Sequence, residues 1–296
     1  MVTRLILLSL IVCIHSLGIA KQIHFVDECI DVVIACHEKD KETLDYCIEG
    51  IRENCNSIRR VIVISSKRLT DKAEWLSENA FPFNKKEIAL AMTKGNREKA
   101  EKFLRSKGRG PGWYLQQLLK LYAPFVIPEI SSNVLVIDAD TIFMNPIEFL
   151  NESHGGLFCV SHEQAKECYL EHAKRLVPDY KRVHSQYYSV CHHMLFQKPI
   201  LERLFRAVEK AHGILFWKAF CRCVDFDGEK GASEYEIYYN YALRHTDLVQ
   251  IRELKWINSA HLDEKDLFKQ AGYHFVAFHT YMRGKWPKTF GPIDSY

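Results

Sequence analysis

Two carboxylates one residue apart, Asp138 and Asp140, close an apolar run in the segment Val134–Thr141 (VLVIDADT). Such a run reads as a buried strand, and in open α/β sheets ligands bind beyond the carboxyl ends of the strands. Carboxylates placed there can hold Mg2+ or Mn2+, with substrate phosphates filling the remaining positions. The same residues also suit a polar strand end with Asp140 opening a turn. His279 directly follows a second apolar run, Phe275–Phe278, and so stands at another strand end, where a neutral imidazole could ligate the same ion or simply be a satisfied strand-end histidine. A further acidic cluster, Ser233–Glu236 (SEYE), opens a helical pattern. An N-cap serine with Glu three residues on fits a capping box, which accounts for Glu236 and leaves Glu234 without a structural role.

The surrounding pattern indicates the elements that must carry these groups. Strand-like runs at Asp31–Cys36 and Arg60–Ser65 alternate with helical ones at 40–54 and 69–79, and residues 89–91 read as the end of a third strand before a helix over 96–106. The cluster 107–112 (KGRGPG) breaks the chain before a helix over 113–122, and the strand 133–138 follows. Beyond it come a strand at 156–160, helices at 163–174, 200–211 and 233–243, a loop at 225–231 and a last strand at 274–278. Buried β-branched strands joined by helices indicate right-handed parallel crossovers. The expected fold class is therefore α/β, with a mixed, mainly parallel central sheet and helices on both faces.

Composition bounds the rest. The 296 residues are 47% hydrophobic, and 40 Lys and Arg against 37 Asp and Glu give a net charge of only +3, which argues against a nucleic-acid partner. Residues 1–20 carry Arg4, an apolar stretch from Leu5 and small residues at Gly18–Ala20, the pattern of a signal peptide or signal anchor. The remainder, 21–296, reads as one domain, exported through the secretory pathway or tethered to a membrane by its N-terminus; an anchor also permits a cytoplasmic face. The ten cysteines form no obvious framework. Cys47 and Cys55 lie eight residues apart on one expected helix, about 12 Å at the helical rise and beyond disulfide reach.

Six ordered blocks, 31–40 (DVVIACHEKD), 59–65 (RRVIVIS), 110–123 (GPGWYLQQLLKLYA), 134–146 (VLVIDADTIFMNP), 233–241 (SEYEIYYNY) and 278–287 (FHTYMRGKWP), carry a resemblance to a known class. The chain resembles the GT-A-fold nucleotide-sugar glycosyltransferases, most closely an uncharacterised bacterial-type domain family, and more distantly glycogenin-like transferases. The resemblance implies a Rossmann-like GT-A domain that moves a sugar from a nucleotide-diphosphate donor, a UDP-sugar above all, to a glycan, lipid or protein acceptor with the help of Mn2+ or Mg2+. It implies Asp138, Asp140 and His279 as metal ligands and Glu234 and Glu236 as the catalytic carboxylates, Glu234 contacting the donor sugar or acting as base toward an acceptor. Nucleotide and donor contacts fall to Cys36, His37, Lys39, Asp40, Ser65, Gly112, Trp113, Gln117, Lys120, Ala139 and Lys285. Lys285 stands six positions after His279, as in glycogenin-like enzymes, but beside Trp286 and Pro287 in reversed order. His192 and His193 are candidates for acceptor contact; Asp225 and Asp227 could touch the acceptor or a second metal.

Two other readings compete. The VIDADT segment also resembles the nucleophile motif of haloacid-dehalogenase-type phosphatases, with Asp138 attacking phosphorus. That motif normally opens the first strand, whereas here a long stretch of βα structure precedes it, and no later Asp-rich magnesium motif follows. A non-catalytic protein that binds sugar nucleotides or glycans is the third reading, and release of free nucleoside diphosphate separates the three.

Overall fold

The computed structural model describes residues 25, 29–106, 110–279, 282 and 287–290. The leader 1–20 and Lys285 lie outside them. Among the described residues no helix is long and apolar enough to cross a membrane.

The first part of the chain contains β1 (Ile30–Ala35), α1 (Lys41–Asn54), β2 (Ile58–Ser65), β3 (Glu74–Ser77), α2 (Lys85–Met92), α3 (Arg97–Leu104), α4 (Pro111–Val126), β4 (Asn133–Asp138) and β5 (Thr141–Phe143). There follow β6 (Leu157–Val160), α5 (Glu167–Leu176), β7 (His193–Gln197), α6 (Lys198–His212), α7 (Phe216–Arg222), α8 (Glu234–His245), β8 (Gln250–Glu253), β9 (Trp256–Ser259), α9 (Lys265–Gln270) and β10 (Phe275–Phe278). The fold is α/β. Its central sheet runs β3-β2-β1-β4-β7, parallel except for the antiparallel pairing of β7 with β4. A three-stranded sheet, β5-β10-β9, and a pair, β6-β8, complete it.

Alternation along the inner strands divides the core. Val33, Ala35, Val134 and Val136 face α2, α4, α6, α7 and α8, whereas Val32, Ile34, Leu135 and Ile137 face Leu44, Cys47, Ile48 and Ile51 of α1. Both faces are covered, which is why β1 and β4 read as continuous apolar runs rather than alternating ones. Gly50 brings α1 against β5: a side-chain carbon there would meet the Phe143 carbonyl oxygen at 2.6 Å. Asn54 fastens the same contact, its amide donating to that oxygen at 3.0 Å.

Two expected elements take a different form. The segment 69–79 forms β3 and a short 3-10 turn instead of a helix, because Glu74–Ser77 pair in parallel with Ile62–Ser65 and the Arg60 guanidinium grips Glu74 at 2.9 and 2.7 Å. Residues 89–91 lie inside α2 instead of ending a strand. Asn84 and Glu87 form a reciprocal capping box that starts this helix, a signal the apolar run obscured. The helix expected over 163–174 begins only at Glu167. All nine described cysteines are free thiols.

Candidate functional site

The site is assembled at the carboxyl ends of three strands. β1 and β4 pair in register from Ile30 with Asn133 to Ala35 with Asp138, so the loops after both open on one edge of the sheet. The chain turns from Asp138 into β5, and β5 pairs antiparallel with β10, Ala277 lying opposite Thr141. The Phe278 amide donates to the Asp140 carbonyl at 2.8 Å, which delivers the next residue, His279, to the carboxylate. His279 Nδ1 lies 2.9 Å from Asp140 Oδ2, and its Nε2 lies 3.1 Å from Asn258 Oδ1 on β9.

Asp138 has a different set of partners. Its Oδ1 accepts a hydrogen bond from Lys120 Nζ, and its Oδ2 lies 3.3 Å from His192 Nδ1. Lys120, on α4, is fully buried and also donates to Glu234 Oε1 at 2.7 Å and to the Tyr235 hydroxyl at 2.9 Å. Burial opposes its charge, but the carboxylates of Asp138 and Glu234 outweigh it and hold the ammonium protonated. Burial would likewise raise Asp138; Lys120 and the His192 hydrogen bond instead hold its carboxyl well below the usual range. Burial raises Glu234, with Lys120 acting in the opposite direction. For His192, burial disfavours the imidazolium, yet the Asp138 hydrogen bond and charge raise its pKa above the ordinary value. The His192 and His279 rings stand 4.9 Å apart, joining the Asp138 and Asp140 halves into one cluster.

The other expected acids and histidines separate. Ser233 caps α8 by accepting from the Glu236 amide at 3.2 Å, but the Glu236 carboxylate does not complete a capping box. It accepts from Ser189 Oγ at 2.6 Å, Asn240 Nδ2 at 2.8 Å and the Tyr180 hydroxyl at 3.2 Å. Glu236 therefore ties α8 to the segment 180–189 and does not point at the Asp138 cluster. His193, next to His192 but on the opposite face of the strand, packs among the rings of Phe143, Phe149 and Phe275. Burial, with Arg252 nearby, lowers its pKa to about 3, and a ring so enclosed is core rather than an acceptor contact. Asp227 pairs with Lys99 at 2.9 Å in an exposed loop, and Asp225 accepts from the Gly228 amide.

A cleft of about 250 Å³ opens where β1 ends. Its walls include Cys36, His37, Lys39 and Asp40 from the first βα connection, with Gly112 and Trp113 from the start of α4. These are six of the residues expected to meet a nucleotide. Pro111 at the first helical position fixes the entry of α4, and the cleft wall follows directly. Asp40 occupies the N-cap position of α1 without a side-chain capping bond. Burial, Asp40 and Asp140 push the Cys36 thiol up to about 12, so it stands in the cleft as a neutral group. Ser65 is turned inward, accepting from Trp75 Nε1 at 3.1 Å, and its neighbour Ser66 lines the cleft instead. Gln117 is buried, and the wall position belongs to Gln116, whose amide donates to the Ala35 carbonyl at 3.2 Å. Ala139 is buried between the two aspartates. Lys120 serves the carboxylate cluster rather than the cleft wall, and Tyr235 and Asn258 are contacts that no spacing rule singled out.

Among the described residues no three His, Cys, Asp or Glu side chains converge as a metal cage. The Asp140 carboxylate and the His279 imidazole meet at the crevice, with the second ring nitrogen on Asn258. Mg2+ is commonly held by one or two carboxylates with phosphate oxygens supplying the rest, so Asp140 fits such an ion, and His279 would join it by exchanging one of its present partners for the ion. Asp138, expected as a further ligand, has both oxygens engaged by Lys120 and His192.

The architecture is that of an α/β protein with a ligand crevice at the carboxyl edge of its sheet. The chain belongs to the family of unknown function DUF6492, whose sequence profile matches residues 23–281. No curated protein matches its sequence at a significant level. Among solved structures it is similar to mouse xyloside xylosyltransferase 1 in its apo form, at 8% identity and a TM-score of 0.44, over 86% of this chain and 99% of that one.

Proposed function

We propose that the protein is a metal-dependent glycosyltransferase that uses a nucleotide-diphosphate sugar, a UDP-sugar in the first instance, and transfers the sugar to a hydroxyl of a glycan, lipid or protein acceptor. The observation that carries the reading is the Asp140–His279 pair at the carboxyl ends of β4 and β10, beside a cleft formed by the first βα connection. A nucleotide lying in that cleft directs its diphosphate to the pair. Asp140 and His279 would hold the cation, which when bound would supply positive charge to stabilise the departing diphosphate.

The chain's own groups do the remainder. Cys36–Asp40, Gly112 and Trp113 hold the nucleoside, and Lys285 contributes positive charge to the diphosphate. Lys120, with Tyr235, fixes Asp138 and Glu234 at one side of the crevice. As the acceptor oxygen bonds to the anomeric carbon, the bond from that carbon to the diphosphate breaks. The hydroxyl proton passes to Glu234, whose basicity burial increases. The N-terminal leader suits delivery to the secretory pathway or attachment to a membrane.

The test is incubation with a panel of nucleotide sugars, with and without Mn2+, followed by mass spectrometry of products and assay of free nucleoside diphosphate. Metal-dependent release with at least one donor, abolished in Asp140→Asn while the folded signal is kept, supports the reading. Release that survives EDTA and Asp140→Asn rejects it.

A further inference from the structure

A second, larger cavity of about 800 Å³ lies along β9, in the upper part of the range for ligand pockets, roughly 300–1,000 Å³. It shares no wall residue with the cleft at β1. It nevertheless meets the same carboxylate cluster from another direction. Asn258, in its wall, holds His279 at 3.1 Å, and Trp256, also in its wall, stands 5.3 Å from the His192 ring. The cleft reaches the cluster through Ala35, the register partner of Asp138. The Asp138–His279 cluster thus adjoins one cavity on the β1 side and the other on the β9 side.

We propose that this β9 groove is the acceptor subsite and that it binds a neutral oligosaccharide; the assignment rests on the glycosyltransferase reading. The chemistry of the walls argues for that class. The walls carry Glu163 and Glu253 as well as Lys255 and Lys288, so the groove has no single sign of charge with which to select a polyanion or a polycation. Carboxylates, ammonium groups and the Asn258 amide together offer acceptors and donors, which suits hydroxyl groups that do both. Trp256 in the wall is held by stacking on Phe275 at 5.3 Å with the planes 9° apart, and Tyr273, also in the wall, is held with Lys255 Nζ over one face at 4.6 Å, so both rings are fixed in place. Aromatic rings held rigidly beside polar groups present apolar area at little cost in conformational entropy. His192 then borders the groove through Trp256, while His193 belongs to the core.

The test uses a printed array of neutral oligosaccharides with the full chain, and Ala260→Trp, which places an indole in the groove wall. Glu163→Ala, an exposed substitution, serves as a second variant in case the indole perturbs folding. Binding of at least one neutral oligosaccharide by the wild type, weakened at least tenfold in either folded variant, supports the assignment. No binding to any neutral member, preference for sulfated or polybasic members, or binding indifferent to both substitutions overturns it. Calorimetric binding of UDP with Mn2+ on the same preparations reports on the donor side. Failure of UDP to bind the wild type counts against the glycosyltransferase reading itself, whereas retained UDP binding with no oligosaccharide binding counts against the groove alone.

Discussion

Asp140 and His279 meet at 2.9 Å although 139 positions separate them, and they do so because β10 pairs antiparallel with β5 in a register that sets Ala277 opposite Thr141. The contact is made by sheet geometry rather than by a local turn. A backbone hydrogen bond of 2.8 Å, from the Phe278 amide to the Asp140 carbonyl, locks the same junction.

Replacing His279 with alanine should weaken Mn2+ affinity, measured by calorimetry in the presence of UDP, by about 10–100-fold if its effect resembles that of other supporting metal contacts. His192→Ala should leave the metal titration little changed, since His192 faces Asp138. An unchanged titration in His279→Ala removes it from the ligand set.

Lys120→Met should leave the buried Glu234 and the half-buried Asp138 without their shared cation. Breaking a buried ion pair on one side costs about 3–5 kcal/mol, and urea unfolding should record a loss of that order. Adding Glu234→Gln should restore part of the stability by removing one of the stranded charges. A Lys120→Met protein as stable as the wild type shows that the three groups are not a coupled unit.

Stability should fall on mild acidification for a reason located in two histidines. His193 is lowered to about 3, with burial the leading cause, and burial likewise lowers His172 to about 4. Both fold in the neutral state, so their contribution is fully present above the unfolded value near 6.5. It is lost as pH drops from there toward the folded values, at about 1.4 kcal/mol per pH unit for each ring. His193→Leu should flatten the slope of unfolding free energy between pH 6.5 and 4 by about one such increment. A slope equal to that of the wild type refutes the assignment.

Gly50→Ala should destabilise although alanine is the better helix former. The added methyl would press on the Phe143 backbone, and overpacking of this kind costs about 1–3 kcal/mol. Thermal unfolding decides the sign: a higher melting temperature would mean that α1 can move off β5 freely.

Legibility in the sequence followed the range of the interaction. The strand 133–138, the helix opened by Ser233 and the first βα connection were readable because apolar runs and capping residues are local signals. From the first of these came Asp138 and Asp140, and from the run 275–278 came His279. The helix expected over 69–79 was misread because β3 exists through pairing with β2, a partner that no local periodicity displays. Lys120 was placed on the correct helix but given the wrong neighbours. The resemblance groups it with the nucleotide contacts, whereas its ion pairs go to Asp138 at the end of the next strand and to Glu234 on α8, 114 positions on. Asn258 and Trp256 carry no local signal, since their importance comes from lying beside β10.

The late position of β10 has a consequence for biosynthesis. A ribosome that has delivered β5 has supplied both aspartates, and the central sheet can close once β7 follows, but the imidazole that faces Asp140 is still to be translated. Any folding that begins before β10 is made therefore proceeds with the crevice half furnished. Until Phe275–Phe278 arrive β5 has no strand partner in its sheet, and their pairing both covers one of its edges and brings His279 to Asp140.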